Sequence, residues 1–563
     1  MLPHGVREAT IIVHPERSLH ELRRHVPSIH MQADGRGSAA HSSGPVTSTP
    51  AHLRTALTSD TALIFYVAMA RLALHFWTNA FAGYGYFRDE LYYLACAEHL
   101  DAGYVDQPPF SIFLLSAVRL IIGDSLFALR LTPALFSAAV VFLAGLMARQ
   151  LGGGRAAQVL AALGTAISPI SLAFGTVYSM NFLDVFFWTL AAYVGMLLVR
   201  TENPRYWILL GLVIGVGALN KISMVWFASG FGIGILLSPH RHWLRTRWPY
   251  LAAGIALLCF LPYVIWNVIH GFPHLEFIRN ATGGKYSGLS QLTFLRDQLL
   301  IHNPAAVPLW AAGLIALLGA RAVSAYRYQG IAFLVVAGIL LLNGHSKSEY
   351  LAAAFPPLCA AGGVMIERWT AGRALRWLRP AYGGVLVVAG LALAPAVLPI
   401  LPVEQYIRYA DAVGLKPHTA ERLRLGEIPQ FYADMFGWPE KAAAVAEVYH
   451  RLSPDEKSRC AIYAENYGRC GAIDFFGKHY GLPKSIGRHN SYWLWGPRDY
   501  TGEIMIILGG GLKDKQECFD AVEVAGTISC QYCMPYEDSL SIYICRGLRG
   551  SLADRWTSVK NYD

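Results

Sequence analysis

Long apolar runs alternate with short polar connectors along most of this chain. From about residue 61 onward the runs reach roughly 14 to 21 residues. A helix needs about 20 apolar residues to cross the hydrocarbon core of a bilayer. The pattern therefore predicts a helical membrane protein with about 11 transmembrane helices, at roughly 61–81, 131–148, 157–174, 182–199, 206–219, 222–238, 250–268, 305–320, 330–342, 351–366 and 381–401.

The apolar stretch from Pro109 to Ile122 is too short to count as a further span. It has about 14 residues and contains Arg119, so we expect a re-entrant or interfacial helix. The helix-like run before it, residues 90–100, is expected to lie in the membrane interface. Its aromatic side chains would then face lipid and its carboxylates would face a cavity.

The two ends of the chain differ from this apolar middle. Residues 1–60 are polar and without sustained periodicity, which predicts a disordered cytosolic tail, and residues 61–401 form the transmembrane domain. After residue 401, helical patterns at 438–452 and 472–480 alternate with strand patterns at 460–464, 504–508 and 540–545. This alternation predicts a small α/β domain over residues 402–563, in which three consecutive glycines at 509–511 favour a plain turn over a phosphate loop.

Composition supports this division into a membrane domain and a C-terminal domain, and charge predicts the orientation of the chain in the membrane. The chain has 563 residues, of which 54% are hydrophobic and 15% charged, and its mean hydropathy is +0.35. These values exclude an ordinary soluble protein. The net charge of +9 comes mostly from arginines in short connectors and forms no basic patch for nucleic acid.

The distribution of positive charge predicts which side each connector occupies. One set of connectors holds 13 Arg in about 51 residues, and the opposite set holds 8 Lys or Arg in about 107. The positive-inside rule places the first set in the cytoplasm. We therefore expect a multi-pass protein of the cell inner (plasma) membrane, with a cytosolic N-terminus and an extracytoplasmic C-terminal domain.

Six of the nine cysteines lie in that C-terminal region: Cys460, Cys470, Cys518, Cys530, Cys533 and Cys545. An even number in an oxidising compartment predicts that most of them form disulfides, with 15 possible pairings. Cys530 and Cys533 could also be half of a zinc site, but no second pair of ligands accompanies them.

Carboxylates follow the first predicted span closely. Asp89 and Glu90 come a few residues after it, and Asp106 precedes Pro108 and Pro109. Carboxylates near a dry boundary suit removal of a proton from a hydroxyl acceptor. The alternative is a solvated loop whose charges simply follow a span.

Further charged residues fall on the same predicted side. Asp184 lies at the start of an apolar run, where a carboxylate marks either a functional site or a helix N-terminus. Lys221 lies in a tight turn, where it either snorkels or pairs with phosphate. A third cluster contains His345, Lys347, Glu349 and Tyr350. The alternative is that these polar side chains simply contact solvent at the end of a helix. Carboxylates and lysines on one face suit a phosphate-linked lipid donor.

Several segments together resemble a known family. They are FRDELYYLACAEHLDAGYVDQPPF, GDSLFALRLTPALFSA, SMNFLDVFFW, the turn at 218–221, LPYVIWNVIHGFPHLEF and KSEYLAAAFPPL. The chain is similar here to bacterial GT-C glycosyltransferases of family 39, relatives of dolichyl-phosphate-mannose protein mannosyltransferases and of the lipid A aminoarabinose transferase. ENYGRCGAIDFFGKHYGLP and HNSYWLWGP resemble the extracytoplasmic tail of one bacterial branch.

The resemblance implies a fold: an all-α polytopic membrane domain of GT-C type with a C-terminal extracytoplasmic α/β domain. It also implies transfer of a sugar from a polyprenyl-phosphate donor. By position, Asp89 matches the general base, Glu90 its neighbour and Asp184 a second acidic residue. Lys221 and Lys347, with Tyr350, match positions suited to the donor phosphate.

A divalent metal ion is a further implication of the resemblance. Asp106 matches an acidic residue that binds metal in some relatives, where Lys follows it; this chain has Gln107 instead. We expect Asp106, His345 and Glu349 to shape the site or to hold the ion.

The sequence thus predicts a hexosyl- or pentosyltransferase of the cell envelope. Its partners would be membrane lipids, the lipid-linked donor and an acceptor lipid, glycan or protein. A transporter or flippase of lipid-linked sugars is the alternative, although it would be expected to show an internal repeat among its spans. A catalytically inactive scaffold is the third reading.

Overall fold

A computed structural model of the chain describes residues 59–419 and 421–563. The predicted disordered tail, residues 1–60, lies outside the described residues except for its last two positions. Helices dominate the first part of the described chain, and a small sheet with helices forms the second part, as the sequence predicts.

Sixteen helices precede residue 400 in the described chain. Their bounds are α1 Asp60–Phe81, α2 Arg88–Ala97, α3 Phe110–Ile122, α4 Leu126–Gln150, α5 Arg155–Ala166, α6 Pro169–Phe174, α7 Met180–Thr201, α8 Arg205–Asn220, α9 Met224–Leu236, α10 Trp248–Ile269, α11 Pro273–Asn280, α12 Gln291–Ile301, α13 Val307–Gly319, α14 Arg327–Asn343, α15 Pro356–Trp369 and α16 Leu378–Leu393.

Six described helical segments are long and apolar enough to cross a membrane. They are Asp60–Phe81, Leu126–Gln150, Met180–Thr201, Trp248–Ile269, Arg321–Asn343 and Arg373–Ala396, and two bent helix pairs raise the number to 8 if each counts as one span. The structure does not confirm the count of 11. Helices α5, α8 and α9 have 12, 16 and 13 residues, fewer than the roughly 20 that a span requires.

Close packing of small residues joins α13 and α15. A Cβ added to Gly313 would lie within 1.9 Å of the Leu358 carbonyl oxygen, and one added to Gly362 within 1.8 Å of the Leu309 carbonyl oxygen. Side chains larger than hydrogen would therefore separate the two backbones. Such contacts are a common way for helices to associate where lipid provides no hydrophobic driving force.

Helix α2 differs from its predicted interfacial setting. Every residue from Glu90 to Ala97 is buried, and the Tyr92 ring packs against Tyr467 at 4.7 Å between centroids. The aromatic side chains of α2 therefore contact protein, because the C-terminal domain covers the face that was expected to meet lipid. Helix α3 begins at Phe110 and has 13 residues, as expected for a short, non-spanning segment.

The C-terminal domain contains eight helices and five strands. The helices are α17 Val403–Val413, α18 Gln430–Ala433, α19 Trp438–Arg451, α20 Pro454–Arg459, α21 Tyr467–Phe476, α22 Ser491–Leu494, α23 Leu512–Cys518 and α24 Leu552–Trp556. The strands are β1 Cys460–Ala464, β2 Ile486–Gly487, β3 Ile504–Leu508, β4 Phe519–Ile528 and β5 Leu540–Leu548.

These strands form one mixed sheet in the order β2-β1-β3-β5-β4. Strands β2, β1 and β3 are parallel, whereas β5 pairs antiparallel with β3 and β4. The predicted strands β1, β3 and β5 are confirmed. Gly509 and Gly510 have φ of +89° and +79° and connect β3 to α23, and the plain turn stays a prediction.

The prediction that most C-terminal cysteines form disulfides is wrong for this structure. Cys530 and Cys533 form a disulfide, while Cys460, Cys470, Cys518 and Cys545 are free. Geometry explains part of this result: Cys460 packs into the core on one face of the sheet and Cys545 into the core on the other. The disulfide also excludes the half zinc site.

Candidate functional site

A polar cavity of about 320 Å³ lies where the loops between the membrane helices meet the C-terminal domain. Its lining includes seven of the nine residues predicted for the site: Asp89, Asp106, Lys221, His345, Lys347, Glu349 and Tyr350. The remaining two, Glu90 and Asp184, lie behind the cavity wall. Residues separated by more than 250 positions are thus brought together.

Asp89 is the predicted base, and it lies in the first turn of α2. Its side chain is about one-third exposed and lines the cavity. The Tyr467 hydroxyl donates a hydrogen bond of 2.8 Å to Asp89 Oδ1, and Arg88 Nε lies 3.5 Å from the same oxygen. The carboxylate is therefore held in place but keeps one oxygen available to a substrate.

Glu90 does not line the cavity, and its catalytic role stays a prediction. The side chain is fully buried and pairs with Arg130 Nη2 at 2.8 Å. It also accepts hydrogen bonds from the backbone N–H groups of Phe87 and Tyr178. With its oxygens committed in this way, Glu90 joins the start of α2 to α4 and to the loop before α7.

Asp184, which was also predicted to be catalytic, lies behind the cavity wall, and its catalytic role stays a prediction. It is buried in α7, accepts a hydrogen bond from the Ser223 hydroxyl, and lies 3.3 Å from Lys221 Nζ. It does not line the cavity. Its negative charge instead holds the Lys221 ammonium at the cavity wall.

Lys221 and Lys347 provide the predicted positive charge. Lys221 Nζ donates to Asn181 Oδ1 at 2.8 Å and lies 4.9 Å from the centre of the Tyr350 ring. Lys347 Nζ lies 4.7 Å from the centre of the Tyr286 ring. Each ammonium therefore rests against an aromatic face and retains hydrogens that are free to bind an anion.

Electrostatics keep Lys347 charged. Burial alone would lower its pKa, but the nearby carboxylates of Glu349, Glu421 and Asp89, together with Tyr286, raise the pKa above its usual value. The lysine is consequently protonated throughout the physiological pH range. A permanent cation suits binding of a phosphate.

Asp106 lies on the loop between α2 and α3. Tyr92 donates a hydrogen bond of 2.8 Å to Asp106 Oδ1. Burial raises the pKa of Asp106 to about 6, the neighbouring Asp89 charge adds to this rise, and Lys285 opposes it. Asp106 is therefore a weaker acid than an exposed aspartate.

The residues proposed for a divalent ion line one cavity without forming a metal site. Among residues 59–419 and 421–563, no group of three or more His, Cys, Asp or Glu side chains is arranged to hold a metal ion. One Asp106 oxygen is already occupied by Tyr92. The set of Asp106, His345 and Glu349 thus does not fit the ion as arranged here.

Sequence reasoning missed a second group of cavity residues. They are Arg88, His274, Lys285, Tyr286, Glu421, Tyr467, Asn490 and Asp563. Tyr467 and Asn490 fall inside the two tail segments that carried the family resemblance, and this could have identified them. Lys285 and Glu421 carry no such signal, because only folding brings their loops to the site.

Arg88 links these missed residues to α2. Its guanidinium lies 3.6 Å from both Glu421 and Asp434. Burial raises the pKa of Asp434 to about 7, although Arg88 opposes the rise. In Glu421 the cations Arg88, Lys285 and Lys347 outweigh burial and lower the pKa. Glu421 is therefore ionised beside the cavity.

An apolar groove of about 480 Å³ runs beside the polar cavity, between α8, α9 and α10. Met224 and Val225 line this groove, and the three residues just before them in the chain, 221–223, line the polar cavity. Val225 and Leu257 are exposed at the surface. The groove is thus open at the protein surface and adjoins the part of the cavity that contains Lys221. We call the part lined by Lys221 and Lys347 the lysine end of the cavity.

Comparisons with known proteins place this arrangement in context. Residues 106–266 match the family model described as dolichyl-phosphate-mannose-protein mannosyltransferase. A comparison with curated protein sequences gave no match.

Two solved structures of ArnT from Cupriavidus metallidurans share the fold. The structure bound to undecaprenyl phosphate has a TM-score of 0.57 at 12% identity, over 86% of this chain and 97% of that chain. The apo structure has the same TM-score and coverage at 13% identity. The resemblance predicted from the sequence motifs is thereby confirmed at the level of fold.

Proposed function

We propose that this chain, which has the GT-C fold of ArnT, is a membrane glycosyltransferase that uses a polyprenyl-phosphate sugar. It moves a hexose or pentose to a lipid, glycan or protein acceptor. The observation that carries the proposal is the single cavity in which the half-buried carboxylate of Asp89 faces Lys221 and Lys347. A base for a hydroxyl and cations for a leaving phosphate are the two requirements of this reaction.

The lysine end of the cavity is the place for the donor phosphate. Lys221 and Lys347 present ammonium groups against Tyr350 and Tyr286, and charge-assisted hydrogen bonds to phosphate are among the stronger contacts in proteins. The ArnT of similar fold binds undecaprenyl phosphate. A lipid-linked phosphate is accordingly the donor that we assign to this end.

The apolar groove adjoining Lys221 supports a lipid donor over a soluble one. Its lining is almost wholly apolar, from Trp207 near one end of α8 to Met224 at the start of α9. A polyprenyl chain passes from lipid into the groove without leaving water, so packing against these side chains orients the donor. Such a chain in the groove would thus hold the donor in place while its phosphate stays with the lysines.

The reaction is a direct displacement at the anomeric carbon. The acceptor hydroxyl oxygen forms a bond to that carbon, and its proton passes to Asp89. The bond between the anomeric carbon and the phosphate oxygen breaks, and its electron pair stays on the polyprenyl phosphate. Lys221 and Lys347 stabilise the charge that develops on this leaving group, and the configuration at carbon inverts.

We place the cavity at the extracytoplasmic face of the inner membrane. The connectors that carry Asp89, Lys221 and Lys347 belong to the set with few positive residues, and arginine-rich connectors favour the cytoplasm. The acceptor would then approach from the side on which the C-terminal domain lies.

Asp89→Asn tests the proposal. The amide keeps the size of the side chain and accepts the Tyr467 hydrogen bond, but it does not take up a proton. We expect transfer by purified protein in lipid nanodiscs, supplied with a panel of undecaprenyl-phosphate sugars, to fall by about 10²- to 10⁴-fold. Asp411→Asn, which changes an exposed carboxylate on α17, serves as the matched control and should keep full activity.

Near-normal transfer by Asp89→Asn would assign the base elsewhere, with Asp106 next. The transporter alternative has its own signature in the same preparation. If the unmodified protein consumes no donor but lipid-linked sugar crosses liposomes that contain it, transport replaces transfer as the function.

A further inference from the structure

Asn490 is a cavity residue whose hydrogen bonding is incomplete. Its backbone N–H donates to the Asn561 carbonyl at 2.9 Å, and its side-chain Nδ2 donates to the Asp563 carbonyl at 3.3 Å. The Trp493 N–H donates to the Asn490 carbonyl at 3.0 Å. The side-chain oxygen Oδ1 is buried and has no partner in the described part of the chain.

Its location in the cavity distinguishes this atom from most other unpaired buried side-chain atoms of the described chain. In residues 59–419 and 421–563, three cavity-lining residues have a buried side-chain polar atom without a partner: His274 Nδ1, His345 Nδ1 and Asn490 Oδ1. The imidazole nitrogens donate or accept according to tautomer, whereas an amide oxygen only accepts. Buried polar groups are nearly always paired in folded proteins, so a ligand is the natural partner of Asn490 Oδ1.

The backbone at Asn490 gives a second, independent reason. Its φ of 48° and ψ of −130° belong to the first central position of a type II′ turn, where glycine is favoured. The Tyr492 N–H closes this turn on the His489 carbonyl at 3.2 Å. A residue with a Cβ is strained here, and such strain concentrates at functional sites. This position nevertheless carries an asparagine side chain.

The turn at Asn490 is hydrogen-bonded to α2, the helix that carries the predicted base Asp89. The next residue, Ser491, donates its hydroxyl hydrogen to the Tyr92 hydroxyl oxygen over 2.8 Å, because the Tyr92 hydrogen is itself donated to Asp106 Oδ1 at 2.8 Å. Asn490 is therefore fixed relative to α2, whose first turn carries Asp89. A fixed acceptor near the reacting groups suits recognition of a ligand.

From these observations we infer that Asn490 Oδ1 accepts a hydrogen bond from a hydroxyl group of the sugar substrate. An amide oxygen repels phosphate oxygens and attracts O–H donors, so it reads the polyol part of a ligand and not the lipid phosphate. The C-terminal domain thereby supplies a hydroxyl-recognising subsite, while the membrane domain supplies the phosphate-binding lysines. This inference rests on the proposed function and extends it by a specificity residue.

Asn490→Gly separates a binding role from a structural one. Glycine removes Oδ1 and relieves the strained backbone, so the thermal unfolding midpoint should stay the same or rise. Sugar transfer should nevertheless fall at least about tenfold in kcat/KM, since a lost hydrogen bond to a buried partner has that magnitude. Arg498→Gly is the matched control: this exposed residue also has a positive φ, of 54°, lies outside the cavity, and should keep full activity.

Two ligands carry hydroxyl groups, and the kinetics distinguish them. A higher KM for the undecaprenyl-phosphate sugar, with unchanged affinity for undecaprenyl phosphate alone, assigns Asn490 to the donor sugar. A higher KM for the acceptor alone would place Asn490 beside an acceptor hydroxyl and would overturn the assignment to the sugar. Equal weakening of undecaprenyl phosphate alone would show an indirect effect and overturn the inference.

Unchanged kinetics in Asn490→Gly would also overturn the inference while the proposed function stands. Failure of the unmodified protein to transfer any sugar from the panel would instead overturn the proposed function, and this inference with it.

Discussion

Asp184 shows how a buried carboxylate acts through a neighbour. It lies 3.3 Å from Lys221 Nζ and is hydrogen-bonded by Ser223, yet it does not line the cavity. In our assignment Lys221 binds the donor phosphate. Asp184 is therefore a positioning residue for donor binding.

Asp184→Asn should affect donor binding more than chemistry. The amide removes the ion pair with Lys221, whose ammonium then keeps only its contacts with Asn181 and the Tyr350 ring. The position of the ammonium is therefore less restricted. We expect the KM for the lipid-linked donor to rise by about tenfold with kcat changed only a few fold. A loss of 10²- to 10⁴-fold in kcat at constant KM would mark Asp184 as a proton-transfer group; thermal unfolding checks that the variant is folded.

Neighbouring residues of one helix illustrate the limit of sequence reasoning at this scale. Asp89 and Glu90 are adjacent carboxylates in the first turn of α2, but successive helical positions point about 100° apart. One side chain faces the cavity and the other faces Arg130. Because the sequence does not give the rotation of α2 against its surroundings, it could predict the acidic pair but not which member is available.

At the scale of elements, the contact between α2 and α21 positions Asp89 against Tyr467. Gly471 in α21 lies against the backbone of Leu91, where an added Cβ would come within 2.7 Å of the carbonyl carbon and oxygen. The two helices approach this closely only because residue 471 has no side chain. The hydrogen bond from Tyr467 to Asp89 depends on that approach.

Gly471→Ala should loosen both the fold and the site. The methyl group forces α21 away from α2, at a cost of about 1–3 kcal/mol, and carries Tyr467 away from Asp89. We expect a lower thermal unfolding midpoint together with reduced sugar transfer. Gly384→Ala in α16, where an added Cβ meets nothing within 4 Å, should leave transfer unchanged; equal behaviour of the two variants would contradict the packing argument.

The elements themselves were predictable where burial produces a clear pattern. Strands β1 and β3 are buried along nearly their whole length, and their apolar sequences predict them correctly. Strand β4 was missed because it is an edge strand whose buried residues lie mainly at its two ends. With half of its residues exposed, it shows neither a sustained apolar run nor the alternation expected of a half-buried strand.

At the scale of the whole molecule, the charge asymmetry predicts how the protein crosses the membrane. Arg245 and His450 are both exposed, the first on the connector between α9 and α10 and the second near the end of α19. Single cysteines at these positions should react with a membrane-impermeant maleimide from opposite sides, residue 245 from the cytosol and residue 450 from outside. Labelling of both from the same side would contradict the predicted orientation.

The number of spans was the least predictable property of the whole molecule. Hydropathy alone counted α8 and α9 as spans, although the structure gives them 16 and 13 helical residues. The two helix pairs bent by 90° and 57° break just before Pro304 and Pro356, and proline interrupts the hydrogen bonding of a continuous helix. A linear apolar pattern does not distinguish a straight span from such a broken one.

The open apolar groove beside Lys221 determines which concentration of donor governs its binding. Val225 and Leu257 at its surface are exposed, so the polyprenyl-phosphate donor that we propose would reach the groove by lateral diffusion within the bilayer. The quantity that fills the site is then the mole fraction of donor among the membrane lipids, not its amount per litre of solution. Dilution with inert lipid therefore lowers the fraction of sites that hold donor, whereas dilution with water leaves this fraction unchanged.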